Sequence, residues 1–369
     1  MSFLKKILLF IPVFFLFPIQ SFAFELPPTP KEEYFQAEVL RILEEGHKDL
    51  FGDQNLFQKV KVRIIGETET GKELEIEHGG NVRISPDQKV QVNDHIVLVK
   101  FPSPEGGMNY QIIDRYRLPT IQFFILAFFV LVIIMSRKKG VGAILGLIIS
   151  LLIIIKFIVP QINSGNDPLF ISVIGGIMIM FTSLFLAHGF NKQTVIALIS
   201  TSITLVLTAI ISIITVNLSF LTGLGSEDAY NLRFGLGTIN TKGLLLGGIM
   251  IGVLGVLDDI TTAQTAAVFE IFKANPKQKL TELFSSAMRV GREHISSLVN
   301  TLVLAYAGVS LPIFIFIVFN PTNQPLWVIL NSEFISEEVV RSLIGSTSLI
   351  LAVPITTILA SYIAIRKIK

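Results

Sequence analysis

The sequence predicts a mostly α, polytopic helical membrane protein with about seven transmembrane helices and a small N-terminal extracytoplasmic domain of β-barrel-like type. Three observations carry this expectation. Of the 369 residues 51% are hydrophobic and only 16% are charged, a balance too apolar for an ordinary soluble globule. Residues 24–117 hold 29 of the 58 charged side chains, whereas residues 118–369, a far longer stretch, hold 27. The apolar residues of that longer stretch fall in runs of about 20, the length that spans a hydrocarbon core of about 30 Å. The chain therefore divides into segments 1–23, 24–117 and 118–369.

In the first segment, Lys5 and Lys6 precede an apolar run from Ile7 to Ile19, and Ser21-Phe22-Ala23 supplies a small-x-small cleavage pattern. It reads as a secretory signal peptide or, if uncleaved, a first helix. The second segment contains five short stretches rich in β-branched residues: Gln36 to Leu43, Lys59 to Ile65, Glu73 to Glu77, Asp94 to Phe101 and Tyr110 to Tyr116. Lys59-Val60-Lys61-Val62-Arg63-Ile64 and Leu74-Glu75-Ile76-Glu77 alternate polar and apolar residues, which describes half-buried strands. Five strands in under 100 residues fit a small barrel of oligonucleotide-binding-like type. Its 12 basic and 17 acidic residues lack the basic face a nucleic-acid reader needs, so no nucleic-acid partner is expected.

Seven spans follow: Leu118 to Ser136, Val141 to Val159, Pro168 to Ala187, Thr194 to Leu218, one from near Gly243, Ile295 to Phe319 and Leu343 to Ile365. Alternate loops and the C-terminus carry Arg137, Lys138, Lys139, Lys192, Lys273, Lys277, Lys279, Arg289, Arg292, Arg366, Lys367 and Lys369, against Arg233, Lys242 and Arg341 on the other side. That excess places the β domain outside a cytoplasmic membrane and the C-terminus inside.

Polar residues within the spans are the candidate site. Asp258 and Asp259 lie in an otherwise apolar span and are followed by Thr261-Thr262-Ala263-Gln264-Thr265. A carboxylate inside a bilayer is costly unless paired, solvated or protonated, so such acids mark ion or substrate paths more often than structure. Counted from the opposite direction along the next span, Asn300 falls at the same depth. The expected ion or substrate site is Asp258, Asp259, Thr262 and Asn300, supported by His188, Asn191, Arg292, Glu293, His294 and Tyr306 near the cytoplasmic face. Thr201, Thr204, Thr208, Ser212 and Thr215 form a hydroxyl stripe that reads as close helix packing. No cysteine is present, and G-x-S-x-G and H-E-x-x-H are absent. The expectation is therefore no enzyme, no cofactor and no metal site.

Gly189-Phe190-Asn191-Lys192, the Leu254-Gly255-Val256-Leu257-Asp258-Asp259 run, and Gly291-Arg292-Glu293-His294-Ile295 followed by Asn300 through Gly308 together resemble the YibE/F family of bacterial multi-pass membrane proteins. The resemblance spans roughly Leu118 to the C-terminus. It implies location and topology rather than a particular chemistry, and it suggests Asp259, Arg292 and Asn300 as signature positions. Family members often carry Asp where this chain has Glu293. The functional expectation is a secondary transporter or permease for a small solute or ion, with the lipid bilayer as its surroundings. The alternative is a non-transporting envelope scaffold whose residues 24–117 recruit an extracytoplasmic protein.

Overall fold

Alternation in the second segment is realised as five antiparallel strands. A computed structural model describes residues 32–50, 53–66, 69–79, 83–103, 107–236, 239–320 and 323–366. The run read as a signal peptide lies outside them. Two compact units form, divided between Val130 and Leu131.

The first unit holds β1 (Glu33–Leu50), β2 (Asp53–Ile64), β3 (Glu73–His78), β4 (His95–Pro102) and β5 (Met108–Arg115), in the sheet order β3-β2-β1-β4-β5. Val60, Val62 and Ile64 of β2 point into a core with Ala37, Val39, Ile76, Ile96 and Leu98. The intervening Lys59, Lys61 and Arg63 point out and pair across the strand with Glu75 and Glu73, at 2.9, 2.7 and 3.3 Å. Register shifts between Val39 and Arg41 and between Ile42 and Glu44 bend β1.

Barrel closure, expected from the sequence, does not occur among the described residues. The sheet is open, and β3 and β5 approach each other without a hydrogen-bonded ladder. The six residues of β3 present a short edge, and the chain leaves it through Gly79 at φ +89°.

The loop before β3 carries a compact ionic cluster. The Glu69 carboxylate accepts from Lys100 Nζ at 2.6 Å, Lys72 Nζ at 2.7 Å and the Tyr110 hydroxyl at 2.8 Å. These donors, with Lys100 contributing most, hold the Glu69 carboxyl down at about 2.

The second unit contains most of the helices. They are α1 (Leu118–Ile153, continued by a π-helical turn and Val159–Asn163), α2 (Pro168–His188), α3 (Lys192–Leu218), α4 (Glu227–Leu236), α5 (Thr241–Ala274), α6 (Leu280–Val309), α7 (Leu311–Phe319), α8 (Leu326–Leu330) and α9 (Glu333–Arg366). Among the described residues five helical stretches are long and apolar enough to cross a membrane, or six if α6 and α7, bent by 69° at their junction, count as one. Seven were expected because Arg137-Lys138-Lys139 separates two apolar runs. The structure instead carries one helical stretch from Leu118 to Asn163, broken only at Arg137, where φ is 51° and ψ is −129°.

Asp167, Asn191 and Asn240 cap α2, α3 and α5 by accepting from Phe170, Thr194 and Gly243 N–H at 2.8, 2.9 and 3.0 Å. Around α5, its residues Met250, Val253, Leu254, Leu257 and Ile260 pack with Leu184, Leu205, Ile344 and Val353 from α2, α3 and α9.

Because the folded-state value of Glu69 lies below the usual carboxylate value of 4.5, its cluster contributes stability above about pH 4.5 and loses it as the pH falls towards 2. In the full-length protein, amide-exchange protection of β4 and β5, corrected for intrinsic rates, is expected to drop across that window. Glu69→Gln should abolish this acid-side step; an identical step in the variant would remove Glu69 as its cause.

Candidate functional site

α5 is the helix on which the site is built, and its polar side chains diverge to four neighbours. Asp258, midway along α5 and half-buried, accepts from the Ser183 hydroxyl of α2 at 3.3 Å through Oδ2, while its buried Oδ1 has no partner. Thr262, one turn further on, interacts with the Asp258 carboxylate, although its buried hydroxyl makes no hydrogen bond within 3.5 Å. Ser183 is held from behind by α1, where Gly146 leaves so little room that an added Cβ would stand 3.3 Å from the Ser183 Cα. Asp259 is rotated by about 100° from its neighbour and is exposed. It interacts electrostatically with His188, at the end of α2.

The next polar contacts run toward α3 and α9. Thr261 and Thr201 of α3 meet at 2.7 Å, the Gln264 amide donates to Thr357 of α9 at 2.8 Å and to the Ala287 carbonyl of α6 at 3.0 Å, and Thr208 of α3 donates to Ser348 of α9 at 2.8 Å. Thr201, Thr204, Thr208 and Ser212 are all fully buried, so the stripe on α3 is an internal packing face. Gln264 Oε1, Thr265 Oγ1, Thr356 Oγ1 and Ser361 Oγ in the same seam lack partners. Pro354 interrupts the backbone hydrogen bonding of α9 within this region.

Gly291 marks the point where α5, α6 and α9 cross. A Cβ there would lie 3.1 Å from the Gln264 amide nitrogen and collide with Val353. Further along α6, the Tyr306 hydroxyl fits against Gly252 of α5 and Gly345 of α9.

The sequence-derived site is thus only partly assembled. Asp258 and Thr262 lie together, with Ser183 as a member that sequence reasoning missed. His188 is coupled to Asp259. Asn191 serves as the cap of α3 and donates to the His188 carbonyl at 2.9 Å, a role in the turn rather than in a polar pocket. His294 is half-buried with Nδ1 unpartnered, and Tyr306 sits at the glycines. Arg292, Glu293 and Asn300 are exposed, and none hydrogen-bonds to the aspartates. Depth along the helices brought Asn300 level with Asp258, but the rotation of α6 turns it outward.

The missed residues lie mostly on α9. Besides Thr356, Thr357 and Ser348, they include Glu333 and Glu337 at its start. Glu333 accepts from the backbone N–H groups of Thr222 and Gly223, and Glu337 from that of Gly225 at 3.0 Å. Gly345-Ser346-Thr347-Ser348 and Thr356-Thr357 in the last span were the signal available in the sequence. Among the described residues no group of three His, Asp or Glu side chains is placed to hold a metal ion.

Long apolar helices around a polar interior, joined to an antiparallel sheet unit, define a polytopic helical membrane protein. Within that class the chain belongs to the YibE/F family: residues 124–366 match the family model described as YibE/F-like protein. No curated protein and no solved structure matches the chain.

At the Gly291 crossing, Gly291→Ala should destabilise the protein by about 1–3 kcal/mol, the range for overpacking a filled site. Gly248→Ala, at an α5 glycine with open space around it, should not. Thermal unfolding of the purified full-length variants checks this, and equal midpoints for the two would refute the crossing-point argument.

Proposed function

We propose that the protein is a secondary transporter or permease for a small ion or solute, acting without catalysis, and that Asp258 is the charge on its path. The observation that carries this reading is the Asp258 carboxylate itself. It stands midway along a membrane-length helix, receives one long hydrogen bond from Ser183, and leaves its second oxygen buried without a partner. A carboxylate oxygen buried without a partner from the protein costs free energy, which a proton, a cation or water at that oxygen offsets.

The seam supports the reading through the way its hydroxyls are bonded. Thr201, Thr208, Thr261, Ser348 and Thr357 each also lie within 2.9 Å of the carbonyl four residues earlier on their own helix. When α3, α5 and α9 shift, those hydroxyl protons retain an acceptor, so relative movement costs little.

The same reading places the basic loops, including Lys192 and Lys273, in the cytoplasm and the sheet unit outside. It also counts seven crossings. The stretch from Leu118 to Asn163 is about 69 Å at 1.5 Å per residue, more than twice the hydrocarbon thickness, so a chain reversal at Arg137 makes two spans of it.

In liposomes carrying an internal pH dye or ion indicator, the wild type should move a proton or ion across the membrane. Asp258→Asn should cut the flux at least tenfold, and Ser183→Ala should weaken it by less. Full flux in a folded Asp258→Asn protein would remove the aspartate from the path. Absence of flux in the wild type across a panel of ions would favour the accessory role, with residues 24–117 recruiting an extracytoplasmic protein.

A further inference from the structure

The outward face of α6 is unlike that of a helix bathed in lipid. Val290, Glu293, Ser297, Asn300, Leu304 and Ala307 follow one another at alternating intervals of three and four residues, and all but the half-buried Ala307 are exposed. Leu304 is 62% exposed. A different side of α6, through Leu283, Ala287, Gly291 and Tyr306, is the one packed against α5 and α9. Two of the contacts between α5 and α6, Gln264 with Gly291 and Gly252 with Tyr306, bracket Asn300 and set it level with Asp258, midway along a membrane-length helix. At that depth lipid offers no hydrogen-bond partner, and Asn300 has none among the described residues.

A seam of small and polar residues repeating every 3.5 positions is the pattern of a left-handed helix pair. The apolar run Ile7 to Ile19 of this chain has no polar side chain with which to meet Asn300. A second copy inserted in the same direction meets every requirement. It brings like residues to like depths, so the Asn300 amides, each both donor and acceptor, pair across the two-fold axis. At one end of the seam the same symmetry sets the two Glu293 carboxylates near each other, and the exposed Arg289 and Arg292 of both copies lie beside them to offset the repulsion.

We infer that the protein forms a parallel two-fold dimer through the outward face of α6, with Asn300 paired to Asn300 at its centre. The inference does not depend on transport, since an Asp258→Asn protein that has lost flux should dimerise like the wild type.

The chain has no cysteine, so single introduced thiols report without background. In native membranes, Ser297→Cys and Leu304→Cys should give a covalent dimer with a short thiol cross-linker at least tenfold more efficiently than Ile210→Cys, an exposed position on α3. In dilution experiments on labelled protein in liposomes, Asn300→Leu should weaken self-association by about 3- to 30-fold, the range of one interhelical side-chain hydrogen bond in a membrane. Asn300→Gln should retain most of it. Equal cross-linking at positions 297, 304 and 210, or wild type counted as a single copy per nanodisc, would overturn the dimer. Undiminished association of a folded Asn300→Leu protein would overturn the role of Asn300.

Discussion

Everything inside the helical unit is governed by the lack of water to hydrogen-bond with. In lipid, each polar side chain on a spanning helix needs an acceptor or donor from the protein itself. The hydroxyls of α3 and α9 meet that need locally, by bonding the carbonyl one turn back, and then touch across the seam. The Gln264 amide has no such local option, and it is the residue that ties α5 to both α6 and α9. Asp258 has the least provision of all, with one long bond for four lone-pair positions. The gradient from self-satisfied hydroxyls to a poorly satisfied carboxylate separates packing residues from the candidate site more sharply than burial does.

Close helix approach is what makes the contacts reachable. Gly142 and Gly146 bring α1 onto Leu186 and Ser183, and Gly291 lets Gln264 and Val353 meet. In a membrane, where apolar burial gives little net drive for association, such backbone proximity supplies van der Waals contact and places short polar side chains within reach of one another.

Much of this was legible in the sequence. Richness in β-branched residues located all five strands, and strict alternation marked β2 and β3, because a half-buried strand forces its period on the residues. Hydrophobic length located the spans, and the acids stood out because lipid tolerates them so poorly. What escaped detection depended on rotation and on contacts distant in sequence. Asn300 was placed at the right depth yet on the wrong side, since neither the bend after Val309 nor the Gly291 crossing that sets the rotation of α6 is a local property. Ser183, an unremarkable serine in an apolar run, becomes the partner of Asp258 only through the packing of α2 against α5. The three adjacent cations that divide the two apolar runs around Arg137 coincide with the one residue there whose backbone leaves the helical region. Sheet closure was likewise undetermined by alternation, which specifies faces but not whether the outer edges bond.

The two ends of the seam differ in how easily they can come apart. Near Thr222 to Gly225 the carboxylates of Glu333 and Glu337 accept from backbone N–H groups, so separating α9 from that loop would strand several donors and a buried acid together. Along Thr201, Thr208 and Thr261 the cross-helix bonds are duplicated within each helix, and parting them strands nothing. Pro354 adds a break in the ladder of α9 between these regions. Separation of the seam therefore strands donors at the Glu333 and Glu337 end and at the Gln264 amide, but not at the threonines between them. Asp258, one turn from Thr261 and held by the single long bond from Ser183, lies in the stretch whose cross-helix bonds are duplicated within each helix.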